Sequence, residues 1–274
     1  MCIRDSPWYY QKKSEISNYF YNSSNALTGT LLSTINYNYN NPVHLQLTSQ
    51  TTTNSNGEVL ETKFFYAPDT EMTAEPFRNE LVTNNMIGIP LDTQTFNNGI
   101  KLSEQKTVYD NNMTTSNLLL PKYIYSNKGI GSLSATDKKI TFDQYDDKGN
   151  TLQYTPEAGA PVTIIWGYNK TQPIAKIEGS YTTIPAALIT AAQTQSDTGT
   201  EADLLLALSA LRNDPALANA IVSTYTHIPL LGVSTITDPK GDKITYTYDS
   251  LGRLEFVKDK NDNILSDNQY HYKQ

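Results

Sequence analysis

The chain reads as a mainly β protein: antiparallel β-hairpin repeats forming an open or wrapped sheet, with an inserted short helical segment. Three observations predict this. β-branched and aromatic residues alternate with polar ones along much of the 274 residues, and Tyr alone occurs 19 times. The alternating runs are bounded by Gly, Asp, Asn and Pro. One short turn spacing, Asp-x-x-Gly, returns several times in the same context.

Taken in order, Met1 to Ser6 ("MCIRDS") match the translation of a transposon end used in sequencing libraries. They read as an artefact, as does the single cysteine, Cys2, and a longer native N-terminal part is expected before Pro7. A β-rich repeat region is expected over 7–182. After the turn signal "NSNG" at Asn54 to Gly57, Leu60, Thr62, Phe64 and Tyr66 alternate with Glu61, Lys63 and Phe65, which is a strand following a turn. Between Ala67 and Met86 the period changes. Phe77, Leu81 and Val82 take helical spacing and predict a short helix near 70–85. Strand character returns in "KKITFDQYDDKGNTLQY" (138–154), "VTIIWGYN" (162–169) and "PIAKIEG" (173–179).

From Ile184 to Tyr225 the composition shifts to Ala and Leu, predicting a helical insertion over 183–224 packed on a sheet face. Thr200 and Asp203 form a capping box ahead of Leu204, Leu208 and Leu211. Asp214 and Pro215 read as an N-cap with Pro at the first helical position, leading into Leu217 and Ile221. Helices are therefore expected near 185–194, 201–212 and 215–224. The segment "ALITAAQTQ" lacks the basic face that a membrane-surface helix uses.

Residues 225–274 read as repeat hairpins. Asp249-x-x-Gly252 in "YDSLGRL" matches Asp146-x-x-Gly149 in "YDDKGNTL" and Asp238-x-x-Gly241 in "TDPKGDKI". Asn54 to Gly57 is a looser copy, and Asp259 to Asp262 a degenerate one. The spacing is a turn code: Asp at the first position accepts backbone N–H bonds, and Gly three residues on takes the left-handed conformation that closes a bulged hairpin. Tyr248 and Asp249 are scaffolding on this reading.

The stretch Tyr248, Asp249, Gly252, Arg253 and Leu254 resembles the YD repeat of bacterial rearrangement-hotspot (Rhs) and related wall-associated proteins. A second copy is carried by Tyr145, Asp146 and Gly149, with Asn150 in place of Arg and Leu152 one position late. The resemblance implies repeats that build a long sheet wound into a shell or barrel, a location outside the cell or on its surface, and pairing with upstream repeats of the same polypeptide. It implies a non-catalytic structural segment of a large protein. It covers the last half of the chain at motif level.

Composition narrows the alternatives. The net charge is -7 and the Lys and Arg residues are scattered, which argues against nucleic-acid binding. No apolar run reaches the ~18 residues of a membrane span. No cofactor is expected, since phosphate loops, nucleophile elbows and native Cys are missing from the sequence. Asp146 and Asp147 are adjacent, so on a strand they would point to opposite faces rather than converge as a glycosidase pair does. Asp259, Asn261 and Asn263 imitate a calcium loop, but Ile264 and Tyr270 stand where its Gly and Glu belong. His44, His227 and His271 are too far apart for a metal-ligand motif. Tyr37, Tyr39, Tyr246 and Tyr248 alternate as sugar-stacking rows would, although paired Tyr on a sheet more often pack. A carbohydrate- or surface-binding module using exposed Tyr rows is the alternative function, and an undetected hydrolase the third.

Overall fold

The structure, a computed structural model, describes residues 10–270. Met1 to Ser6, Cys2 and Pro7 lie outside the described residues, as does His271. The chain is mainly β, with antiparallel strands that pair with their neighbours in sequence order. Its described residues divide into two compact units, one of residues 10–111 and 119–140, the other of residues 112–118 and 141–270.

The first unit carries β1 (Lys13–Tyr21), β2 (Leu27–Asn38), β3 (Ser49–Thr53) and β4 (Val59–Tyr66). A 3-10 turn (Thr70–Met72) and α1 (Arg78–Thr83) follow, then β5 (Pro90–Asn97), β6 (Ile100–Asp110) and β7 (Leu120–Lys128). The helix expected near 70–85 is thus two short pieces. Pro76 and the left-handed Phe77 (φ 57°) separate them, a backbone conformation that interrupts helical hydrogen bonding. Arg78 holds the segment to the strand end by donating from Nε to the Ala67 carbonyl at 2.7 Å. Met72 and Leu81 bury themselves with Ala67, Leu91 and Tyr109, the small core of this unit. Pro90 is tolerated because it is the first residue of its strand.

The division between the units falls within β8 (Lys138–Tyr145). The second unit continues with β9 (Thr151–Pro156), β10 (Val162–Gly167) and β11 (Gln172–Glu178), then α2 (Ala186–Thr198) and α3 (Glu201–Arg212). A 3-10 turn (Pro215–Leu217) leads into β12 (Ile221–Ile228), β13 (Gly232–Thr237), β14 (Lys243–Tyr248), β15 (Leu254–Lys258) and β16 (Ile264–Asp267). The capping box at α3 forms as expected: Thr200 Oγ1 accepts from the Asp203 N–H at 3.2 Å, and Asp203 accepts from the Thr200 N–H at 3.1 Å. Leu204, Leu208 and Leu211 are fully buried with Ile189 and Ala192 of α2 against Ile165, Ile174, Ile177 and Val222 of the sheet. The helical pair is therefore docked on a sheet face.

The helix expected over 215–224 is corrected. Asp214 does cap, accepting from the Ala216 N–H at 2.9 Å, but only one 3-10 turn follows. From Ile221 the run Ile-Val-Ser-Thr-Tyr-Thr is β-branched and aromatic, and it pairs with both β11 and β13. Val222, Thr224 and Thr226 alternate into the interior, a period of two that a helix cannot supply.

Candidate functional site

The turns flagged in the sequence share one geometry. At Asp249 the N–H donates to the Arg253 carbonyl at 2.8 Å, and the Gly252 N–H donates to the Asp249 carbonyl at 2.9 Å. Oδ1 of Asp249 accepts from the N–H groups of Leu251 (2.9 Å) and Arg253 (3.0 Å). Asp146 does the same with Lys148 (2.8 Å) and Asn150 (2.9 Å). So does Asn54 with Asn56 and Glu58. Asp238 repeats the backbone pair and accepts from the Asp242 N–H at 2.9 Å. The residue at the fourth position is left-handed each time: Gly57 (φ 80°), Gly149 (84°), Gly241 (90°) and Gly252 (76°).

Asp259, read in the sequence as a degenerate copy, is regular in the structure. Its Oδ1 accepts from the Asn261 and Asn263 N–H groups at 2.8 and 2.9 Å, and Asp262 takes the glycine's place at φ 63°. A sixth turn escaped sequence reasoning. Asn22 accepts from the Ser24 and Ala26 N–H groups at 3.0 and 2.9 Å, with Asn25 left-handed at φ 60°. The signal was present in "NSSNA", because Asn can accept as Asp does and also tolerates positive φ.

These carboxylates are engaged by their own turns. A hydrogen bond from the Arg253 side chain, then one from its backbone N–H, holds the Asp249 carboxyl below the usual range. The Asn263 side chain is the leading cause of the same direction at Asp259. Asp147 points to Lys170 rather than joining Asp146. Among the described residues no group of three His, Cys, Asp or Glu side chains could hold a metal ion. His44 is buried, its Nδ1 accepting from the Gln46 N–H at 2.9 Å and its Nε2 lying 3.1 Å from Asp69. His227 Nε2 donates to the Pro173 carbonyl at 2.9 Å, far from His44 in sequence and in the other unit.

Tyr248 ties its hairpin to the preceding one. Its hydroxyl donates to the Val233 carbonyl at 2.8 Å, and burial first, then Tyr246, raises its pKa. A Cβ at Gly232 would lie 2.7 Å from that hydroxyl, and a Cβ at Gly252 would lie 2.7 Å from Leu231 Cδ2. The motif glycine therefore supplies both the left-handed turn and room for the neighbouring turn. Other aromatic donors repeat the device: Tyr270 to the Leu254 carbonyl (3.0 Å), Trp166 to Thr151 (2.9 Å) and Tyr66 to Leu47 (2.8 Å). The intervals in sequence are 16, 15 and 19 residues, against 15 for Tyr248. Arg253 also stacks over the Tyr270 ring at 4.3 Å and pairs with Asp249 at 2.5 Å. Tyr37, Tyr39, Tyr246 and Tyr248 are half-buried rather than standing free as stacking platforms.

Replacing Gly252 by Val is expected to destabilise the protein by about 2 kcal/mol, from positive φ on a β-branched residue and displacement of Leu231. The same change at Gly131, whose Cβ would meet nothing within 4 Å, serves as the control. Urea denaturation of the two variants tests this, and equal stabilities would remove the steric role assigned to Gly252.

Hairpins closed by a shared turn and tied to their predecessors by an aromatic donor define a hairpin-repeat β protein. Residues 231–262, which hold β13 to β15 and the Asp249 turn, match the RHS Repeat family. No curated protein sequence matches it. Among solved structures, a TcdB2-TccC3-Cdc42 complex aligns with TM-score 0.37 at 10% identity, covering 89% of this chain and 15% of that one. The Photorhabdus luminescens Tc holotoxin pore aligns at 0.31 and 12%, covering 90% and 14%. A porin-like protein from Bacteroides uniformis aligns at 0.21 and 11%, covering 89% and 88%. The chain thus spans a small part of the toxin chains it resembles, and scores this low carry no argument about function.

Proposed function

We propose that the chain is a structural segment of a large secreted or cell-surface RHS/YD-repeat protein, a non-catalytic length of wall whose hairpins pair with further repeats of the same polypeptide. Tyr145, Asp146, Gly149, Asp238, Gly241, Tyr248, Asp249, Gly252, Arg253 and Leu254 are its structural motif. The observation that carries the reading is the common turn geometry. In all six turns one side-chain oxygen of the first residue accepts from the turn's own backbone N–H groups. No helix among the described residues is long and apolar enough to cross a membrane.

Asp146→Asn and Asp249→Asn keep the oxygen that accepts the turn N–H groups and lose the charge and the second acceptor, which takes Asn150 Nδ2 at Asp146 and Arg253 at Asp249, so each is expected to lower Tm by no more than a few degrees. Assays on mixed glycans and on denatured protein are expected to show no turnover by the purified chain. Hydrolysis abolished by either substitution in a protein that still melts cooperatively would overturn the structural reading.

A further inference from the structure

The second unit contains a cleft of about 970 Å³, one end of which, at Leu231 and Gly232, borders the repeat turn of Tyr248 and Gly252. Three segments form its walls: the turn after β10, the junction of α2 with α3, and the turn after β12. The volume falls at the upper end of ordinary ligand pockets. Its chemistry is one-sided. Asp197 and Glu201 line it, and no Lys or Arg does.

Each carboxylate uses one oxygen to build the wall. Asp197 Oδ1 accepts from the Asn169 N–H at 2.7 Å, and Glu201 Oε1 accepts from Thr226 Oγ1 at 2.6 Å. Their other oxygens have no protein partner among the described residues.

The rim is apolar. Leu230 is fully exposed and Leu231 nearly half so, at the tip between β12 and β13. Leu230 is held at φ 65°, a conformation unfavourable for a side chain of its size. Exposed carboxylates without cations, beside exposed leucines, match a cationic group on an apolar neighbour.

We propose that this cleft binds a polypeptide segment presenting Arg or Lys next to a large apolar side chain. The cation faces Asp197 and Glu201, and the apolar neighbour covers Leu230. This role goes beyond the wall role, and neither Asp197 nor Glu201 belongs to the repeat motif.

The test is fluorescence anisotropy with a labelled, capped pentapeptide alternating leucine and arginine. Two further probes replace arginine by glutamate or leucine by serine. Saturable binding is expected for the first probe only, weakened at least tenfold in the double variant Asp197→Asn/Glu201→Gln and weakened also by Leu230→Ser. Glu71→Gln/Glu80→Gln, with the same loss of charge in the other unit, is expected to bind as the original chain does. Leu230 is wholly exposed, so its substitution reports binding even if the double variant folds poorly. The proposal is overturned by any of three results: no saturable binding of the leucine–arginine probe, equal binding of the glutamate probe, or equal weakening by the charge-matched control.

Discussion

Asp92→Asn is expected to stabilise the protein at pH 7 and to remove a fall in stability between about pH 4 and pH 6. Asp92 lies on β5, is only 2% exposed, and has its Oδ1 unpartnered. Burial above all pushes its pKa from 3.8 up to about 6. The Gln94 side-chain hydrogen bond at 2.9 Å opposes this, Glu104 and Glu75 add to it, and Lys106 acts against it. Lys106 is in turn drawn to Glu75 at 2.7 Å.

Because the folded pKa is raised, the folded state holds a proton that the unfolded state has released over this window, and stability falls as pH rises. The contribution is complete below pH 3.8 and lost above about pH 6. At about 1.4 kcal/mol for each pH unit, the full span is roughly 3 kcal/mol. Asn keeps the acceptor for Gln94 and cannot ionise. The turn carboxylates at Asp249 and Asp259 act in the opposite direction, but they are present in both proteins. The difference between the two curves therefore isolates Asp92. Urea titrations at several pH values should diverge from pH 4 to pH 6 and run parallel above it. Parallel curves throughout would show that Asp92 is not held neutral.

The second large effect is association through the first hairpin. Among the described residues β1 pairs only with β2, and β2 pairs with β3 only from Ile35 to Asn38. The stretch from Leu27 to Thr34 therefore has a strand on one side alone. Ile16, Tyr19, Phe20 and Leu32 are each more than half exposed. No charged side chain occurs from Ile16 to Gly57. A two-stranded ribbon with open, apolar, unguarded edges is marginal in water and offers a template for another strand.

Concentration-dependent oligomers are expected in sedimentation velocity. Tyr19→Lys with Phe20→Lys, which places charge on both faces, should return the chain to monomer. The opposite edge is better guarded, since β16 has only four residues and ends on Asp267. A monomer at every concentration would mean that this edge is closed in solution.

What the sequence determined by itself was local. Alternation, the Asp-x-x-Gly spacing and the Thr200–Asp203 box each depend on residues within about four positions of one another. Their geometry follows from backbone sterics and short-range hydrogen bonds. Hence the hairpin turns and α3 stand where the residues place them. The 215–224 segment shows the limit. Its cap was legible, but Val222, Thr224 and Thr226 became a strand because two neighbouring strands supply hydrogen bonds that no local pattern encodes.

The tertiary structure alone decided the contacts between hairpins. Tyr248 meets the Val233 carbonyl, and Gly252 makes room for Leu231, only after the strands have paired in register. Asp92 in the sequence is one polar residue of "PLDTQTFN" with nothing to mark it. Its shifted pKa exists because folding withdraws it from water beside Glu104, a desolvation that composition and spacing do not report. The acidic cleft likewise joins residues almost 60 positions apart, from Tyr168 to His227. Its charge balance became visible only when the walls came together.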